Sequence, residues 1–379
     1  MKNSQDEFIC EFLSATRLDA LGTYRSDESV QLKEALFDEI LNSVLTNINI
    51  EQPLRLYLCD TYDLFSRVFP IQMKGQEAVF YLLFDQHIEI INRIFNAIYL
   101  SEDDSGHDVW RLAYELFMES SMIERNCLHS SYFGMNKLAL GDYTSKKAWF
   151  SEENNFFSFV QSAFIMGHEI GHWICDVSRD EHKAANLNLK DKLSYTIQNI
   201  SDMVFDIFRQ YRIQFIGKEY FELIQEAADS INEKIIEECT ADAIAISAVL
   251  QYIEHFDDED LAQMGFDSKD PQSVALEAML ILFMNLQILA MQKMTVSPKS
   301  FEIQSSIRLA FFRNYIYSYY EEMGSAFNRL LENTVLRYEE RITNFILESF
   351  SELEERATNL DNKLTSWNTI IDTRMFMEL

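Results

Sequence analysis

Glycine and proline are scarce, with 10 and 4 among 379 residues, about 4% together where ~12% is ordinary. A β-sandwich or barrel turns often and relies on those residues to do it, so an all-β fold is excluded. A composition that is 47% hydrophobic and 13% aromatic likewise excludes Pro/Gly-rich disorder. Cysteine is sparse and unpatterned: Cys10, Cys59, Cys127, Cys175 and Cys239 include no CxxC pair. Neither a disulfide framework nor a thiolate zinc site is indicated. The opening MKNSQDEFIC lacks the basic-then-apolar pattern of a secretory signal, so a reducing, cytoplasmic compartment is expected.

Positive charge is also in deficit. Thirty-two Lys and Arg face 61 Asp and Glu, a formal net charge of −29. A field of that sign repels phosphate backbones and anionic lipid, so no nucleic-acid partner and no membrane partner is expected. It points weakly to a basic substrate. No clean transmembrane run is present either. The most apolar stretch, Val274 to Met291, is interrupted by Glu277, Asn285 and Gln287, which are costly in hydrocarbon. It reads as a buried core helix.

The periodicity gives an α+β, predominantly helical chain. Helical spacing covers Val30 to Asn47, Ile88 to Tyr99, Val109 to Ile123, Phe156 to Val177, Ile200 to Ile216, Gln225 to His255, the segment from Val274, and Ser305 to Tyr320. Leu54 to Leu58 and Ala78 to Phe84 read as strands, and Ser131 to Phe150 as a strand or hairpin followed by a loop. A long amphipathic run follows, with Leu331, Val335, Tyr338, Ile342, Phe345, Leu353, Leu360, Leu364, Trp367 and Ile371 in phase. It suits a bundle helix packed on its own chain, or a coiled-coil seam for an oligomer or partner. Three regions are expected: α+β over 1–128, a catalytic core over 129–300 and a helical region over 301–379.

The sharpest local signal is His168-Glu169-Ile170-Gly171-His172, an HExxH motif. Histidines four apart on a helix point from one face, so both imidazoles reach one metal ion. Glu169, about 100° around the helix, is placed to act on the water of that ion. Phe159, Ala163, Met166, Ile170 and Ile174 fall on the opposite face, which predicts a core-anchored helix. Gly171 costs about 1 kcal/mol relative to Ala in a helix interior, which calls for a close approach by a neighbouring backbone or a ligand.

A catalytic zinc site needs a third protein ligand. The metzincin spacing fails, because Cys175 and Ser178 stand where glycine and histidine would be. Asp176 lies too far along the helix from His168. Glu238 in Glu237-Glu238-Cys239-Thr240-Ala241-Asp242-Ala243-Ile244-Ala245 fits. Asp242, one turn on, can accept the N–H of a ligating histidine, and Ala245 shares that face. Glu237 competes for the ligand role but lacks an aspartate four residues on.

HEIGHW followed by ECTADAIA resembles the HExGHW and ExxADxxA pattern of the gluzincin peptidases, nearest to the HtpX and CAAX prenyl protease branch. The resemblance implies a zincin-like core, His168, His172 and Glu238 as zinc ligands, Glu169 as general base and Asp242 behind them. That branch is membrane-embedded and carries a later His-Pro and then an arginine. Here Ser297-Pro298 replaces His-Pro, and Arg308 is the best arginine match, with an expected role in orienting the site or the substrate. Tyr252, His255, Tyr315 and Tyr317 are candidates for the oxyanion donor. The expected function is zinc-dependent hydrolysis of a protein or peptide substrate, extended along a sheet edge for which Ser131 to Leu140 is the candidate. Two rival readings are a zinc-holding sensor without activity and a helical interaction protein.

Overall fold

In a computed structural model, the residues described are 27–343 apart from 46–49, 51–52, 60–65, 72–78, 101–150, 180–193, 208, 210–217, 257–269, 294–297 and 320. The elements are α1 (Asp27–Leu45), β1 (Leu54–Cys59), β2 (Arg67–Ile71), β3 (Val79–Asp85), α2 (Gln86–Leu100), α3 (Glu152–Arg179), α4 (Lys218–Glu254), α5 (Pro271–Lys293), α6 (Pro298–Tyr319) and α7 (Glu321–Tyr338). A helical stretch over 194–207 lies between α3 and α4. A π-helical turn, Glu339–Thr343, continues α7. The predominantly helical α+β reading therefore holds. The expected helix over Val109 to Ile123, the Ser131 to Phe150 hairpin and the seam from Phe345 onward lie outside the described residues.

The sheet has the order β1-β3-β2, with β1 parallel and β2 antiparallel to β3. All seven residues of the central strand β3 are buried, which is why it reads as an unbroken apolar run. Alternation still sorts its side chains. Phe80, Leu82 and Phe84 join the main core with Leu54 and Leu58. Val79, Tyr81 and Leu83 cluster with Ile71 on the other face. Strand β2 was not expected from the sequence; it contains Pro70, a residue that weakens a strand interior. It is tolerated because β2 pairs only with β3 among the described strands.

Helix α3 runs through the middle, packed by α1, α2, α4, α5, β2 and β3. Ser151 caps it, its Oγ accepting from the Asn154 amide at 3.1 Å. Helix α5 begins with Asp270 accepting from the Ser273 amide at 3.1 Å and Pro271 at its first position, where no N–H is needed. Ala275, Leu276 and Ala278 through Met284 are buried, so α5 is the core helix its composition suggested. Two of its polar residues, Glu277 and Asn285, are partnered within the chain. Glu277 accepts from the Tyr99 hydroxyl at 2.5 Å, and Asn285 bonds Asn92 at 3.0 Å and Tyr338 at 2.8 Å. No described helix is long and apolar enough to cross a membrane.

Val335, Tyr338 and Ile342 are buried in the main core. Arg341 donates to the Tyr99 carbonyl at 3.1 Å, and Arg337 lies 4.6 Å from the Tyr99 ring centre. The described part of the amphipathic run is thus a bundle helix on its own chain. One core cluster draws residues from Leu36 to Ile342.

Candidate metal centre

The site forms where α3 and α4 cross. Gly167 and Gly171 face Ala245 and Ala241, and a Cβ on either glycine would meet the α4 backbone. This is the close approach that the glycines foreshadowed. Each costs helix propensity, and each removes the one carbon that would keep the helices apart. The contact brings the histidines of α3 against the carboxylates of α4.

His168 Nε2 and His172 Nε2 lie 3.1 Å apart. Glu238 presents Oε2 at 3.5 Å from His168 Nε2 and Oε1 at 3.8 Å from His172 Nε2. The other nitrogen of each ring meets a carboxylate. His168 Nδ1 is 2.9 Å from Asp242 Oδ1, and His172 Nδ1 is 3.2 Å from Glu237 Oε1. A carboxylate can only accept, so each Nδ1 carries a proton and both Nε2 lone pairs are aimed at one point. Two nitrogens on one ion at zinc–nitrogen distance would stand about 3.3 Å apart. The group His168, His172 and Glu238 could therefore hold a metal ion.

Behind the ligands, Asp242 is fully buried. Its Oδ1 accepts from His168 and from Arg308 Nη2 at 2.6 Å, and its Oδ2 accepts from Arg308 Nε at 2.8 Å. Arg308 Nη1 also lies 3.1 Å from Glu238 Oε2. Arg308 thus binds the two carboxylates of α4 with a single planar fork. Phe164 stacks on His168 at 6.3 Å between ring centres, and Phe283 meets Phe164 edge-on at 5.2 Å. Arg308 lies 5.6 Å from the Phe283 ring centre.

The electrostatics are those of a site that seeks a cation. Burial works against charge on His168, yet its bonds to Asp242 and Glu238 outweigh it and push His168 up to about 10. Burial and the charge on His168 hold His172 below its ordinary 6.5. Burial opposes the Glu238 carboxylate, but Arg308 and both histidines hold it far below the usual range. Asp242 is lowered too, against its burial, by Arg308 and His168. Burial also opposes the charge of Arg308, which those carboxylates keep raised.

Glu169 is 92% removed from solvent, and the backbone amide of Val68 on β2 donates to its Oε2 at 3.0 Å. Burial pushes its carboxyl up to about 7. Repulsion from Glu238 adds to this, while His168 and the Val68 amide oppose it.

The chain matches no family model, no curated protein and no solved structure. What the site can do therefore rests on its own geometry.

Several sequence expectations can be placed. Of the two glutamates that competed, Glu238 faces both Nε2 atoms, while Glu237 holds the far side of His172. Asp176 is exposed. Ser178 donates to the Cys175 carbonyl at 2.7 Å. Of the four oxyanion candidates, Tyr252 packs on Phe159 and Phe256, His255 bonds the Gln251 carbonyl, Tyr315 bonds Ser247 and Tyr317 is exposed. The sequence reading missed the roles of Val68 and Glu237. For Glu237 a signal existed, since two adjacent glutamates on α4 can serve two atoms of one histidine cluster. For Val68 there was none, because a backbone amide has no sequence signature.

Proposed function

We propose that this chain is a zinc-dependent endopeptidase with a zincin-like core. The observation that carries the reading is the convergence of His168 Nε2, His172 Nε2 and a Glu238 oxygen on one point, with the carboxylate of Glu169 buried on the next residue. Two imidazoles and one carboxylate suit zinc and leave its fourth position open. A bound zinc ion would polarise the scissile carbonyl and lower the pKa of its water toward 7.

The chain's own groups do the rest. Glu169, buried beside the ligands and held by the Val68 amide, is placed to take a proton and return it to the leaving amine. Asp242 and Glu237 fix the histidine tautomers. Arg308 holds Asp242 and Glu238 in place. The edge expected to align an extended peptide, Ser131 to Leu140, lies outside the described residues; among those described, strand β2 is an outer strand of the sheet and lies beside Glu169.

The test pairs metal analysis with one variant. Purified protein should carry about one zinc per chain, and Glu169→Gln should keep the zinc and lose peptide cleavage. Protein that takes up no zinc would overturn the reading. Identical proteome-wide cleavage patterns for the two forms would leave a zinc-holding module without peptidase activity.

A further inference from the structure

Strand β2 has an unusual outer edge. Phe80, opposite Pro70, sends its amide to the Pro53 carbonyl at 3.1 Å, on the β1 side. Pro70 and Phe80 are therefore a non-hydrogen-bonded pair, and the Pro70 nitrogen faces away from β3. The missing N–H of Pro70 costs the ladder nothing. Val68, two residues earlier, faces the same way, which is why its amide reaches Glu169. Arg67, Phe69 and Ile71 direct their amides to β3 instead. Among residues 67–71, Val68 is the only outward donor, and Glu169 accepts from it.

We infer that the Val68 backbone amide is a positioning group for Glu169, anchoring its carboxylate through Oε2. The inference deepens the peptidase reading and rests on it for its kinetic consequence. Glu169 sits on a helix and is held from a strand, so its carboxylate plane is fixed by two elements rather than by its own rotamers. A glutamate loses much rotamer freedom when ordered, and a hydrogen bond to a charged group offsets that loss. A peptide laid along β2 then meets the outward carbonyls of Val68 and Pro70, while the Val68 amide stays with Glu169.

Residue-resolved hydrogen exchange on the full chain tests the bond without any need for activity. An outward edge-strand amide exchanges fast unless it is partnered. In wild type, Val68 should be protected like Phe69. In Glu169→Ala that protection should be lost at Val68 and kept at Phe69 and Ile71. Fast exchange at Val68 in wild type, or protection that survives Glu169→Ala, overturns the inference.

The kinetic arm uses Val68→Pro, which replaces the amide hydrogen by a ring carbon on the side where Pro70 shows that the ladder loses no bond. Zinc content and KM for a peptide should be unchanged, and kcat should fall about tenfold to a hundredfold. Val68→Ala keeps the amide and should keep the exchange protection, with a smaller fall in kcat than Val68→Pro. A fall in KM-independent rate in Val68→Ala as large as in Val68→Pro would assign the effect to packing and overturn the inference. If wild type cleaves no peptide, the peptidase reading fails while the exchange arm still decides the Val68 bond.

Discussion

A Cβ on Gly171 would stand 2.7 Å from the Ala241 Cα. The obstruction is backbone, which cannot rotate away. Gly171→Ala should therefore destabilise the fold by about 1–3 kcal/mol, although alanine favours a helix by about 1 kcal/mol. The same substitution should weaken zinc binding, because the helices that must part carry the histidines and Glu238. Denaturant unfolding and a competing chromophoric chelator measure the two effects.

Glu237 is the partner of His172 on the side away from the metal. Glu237→Ala should lower zinc affinity by about 10–100-fold without removing the site. Glu238→Ala removes a ligand and should abolish stoichiometric zinc. Metal titrations on the two variants distinguish the roles of these adjacent residues.

Arg308 neutralises a carboxylate with no access to water. Arg308→Met should cost about 3–5 kcal/mol, since Asp242 would stay buried with His168 as its remaining described partner. Arg308→Lys keeps the charge but cannot reproduce the fork on both Asp242 oxygens, so it should fall between wild type and Arg308→Met in thermal unfolding.

A second ion cluster gives a pH test away from the metal centre. Glu89 on α2 binds Lys33 of α1 at 2.8 Å and lies 3.5 Å from Arg93. Lys33 also donates to Ser162 of α3 at 2.9 Å. Burial opposes charge on Glu89, but Lys33 and Arg93 prevail and hold it below its ordinary 4.5. A carboxyl lowered in the folded state contributes its stability above the unfolded value and loses it as pH falls through the folded one. Glu89→Gln should therefore be about 1–2 kcal/mol less stable than wild type at pH 7. The gap should hold down to pH 4.5 and close below it. Chemical unfolding at a series of pH values measures it.

Local periodicity made much of this protein legible. The buried β3 is an apolar run, α5 is a core helix with few polar positions, and HExxH places two histidines on one helical face. Those features depend on residues within a few turns of each other, and their spacing is set by backbone geometry. Glu238 and Asp242 were also readable, because the i, i+4 relation holds on α4 as on α3. Strand β2 was not legible; it contains a proline, which weakens a strand interior, and only the pairing reveals that its nitrogen faces outward.

The sequence by itself determined the helical α+β class, the unsuitability of α5 for lipid, and the residue types able to hold a metal. Only the tertiary structure decided which carboxylate serves which nitrogen. It gave Glu238 to the two Nε2 atoms, Glu237 and Asp242 to the two Nδ1 atoms, and Arg308 to the buried charge behind them. It also brought Val68 to Glu169 across 101 positions of chain. The physical reason is that these are contacts between elements. Their geometry follows from how closely α3 and α4 approach and from which edge of the sheet lies beside α3, and no spacing along one helix or strand encodes that.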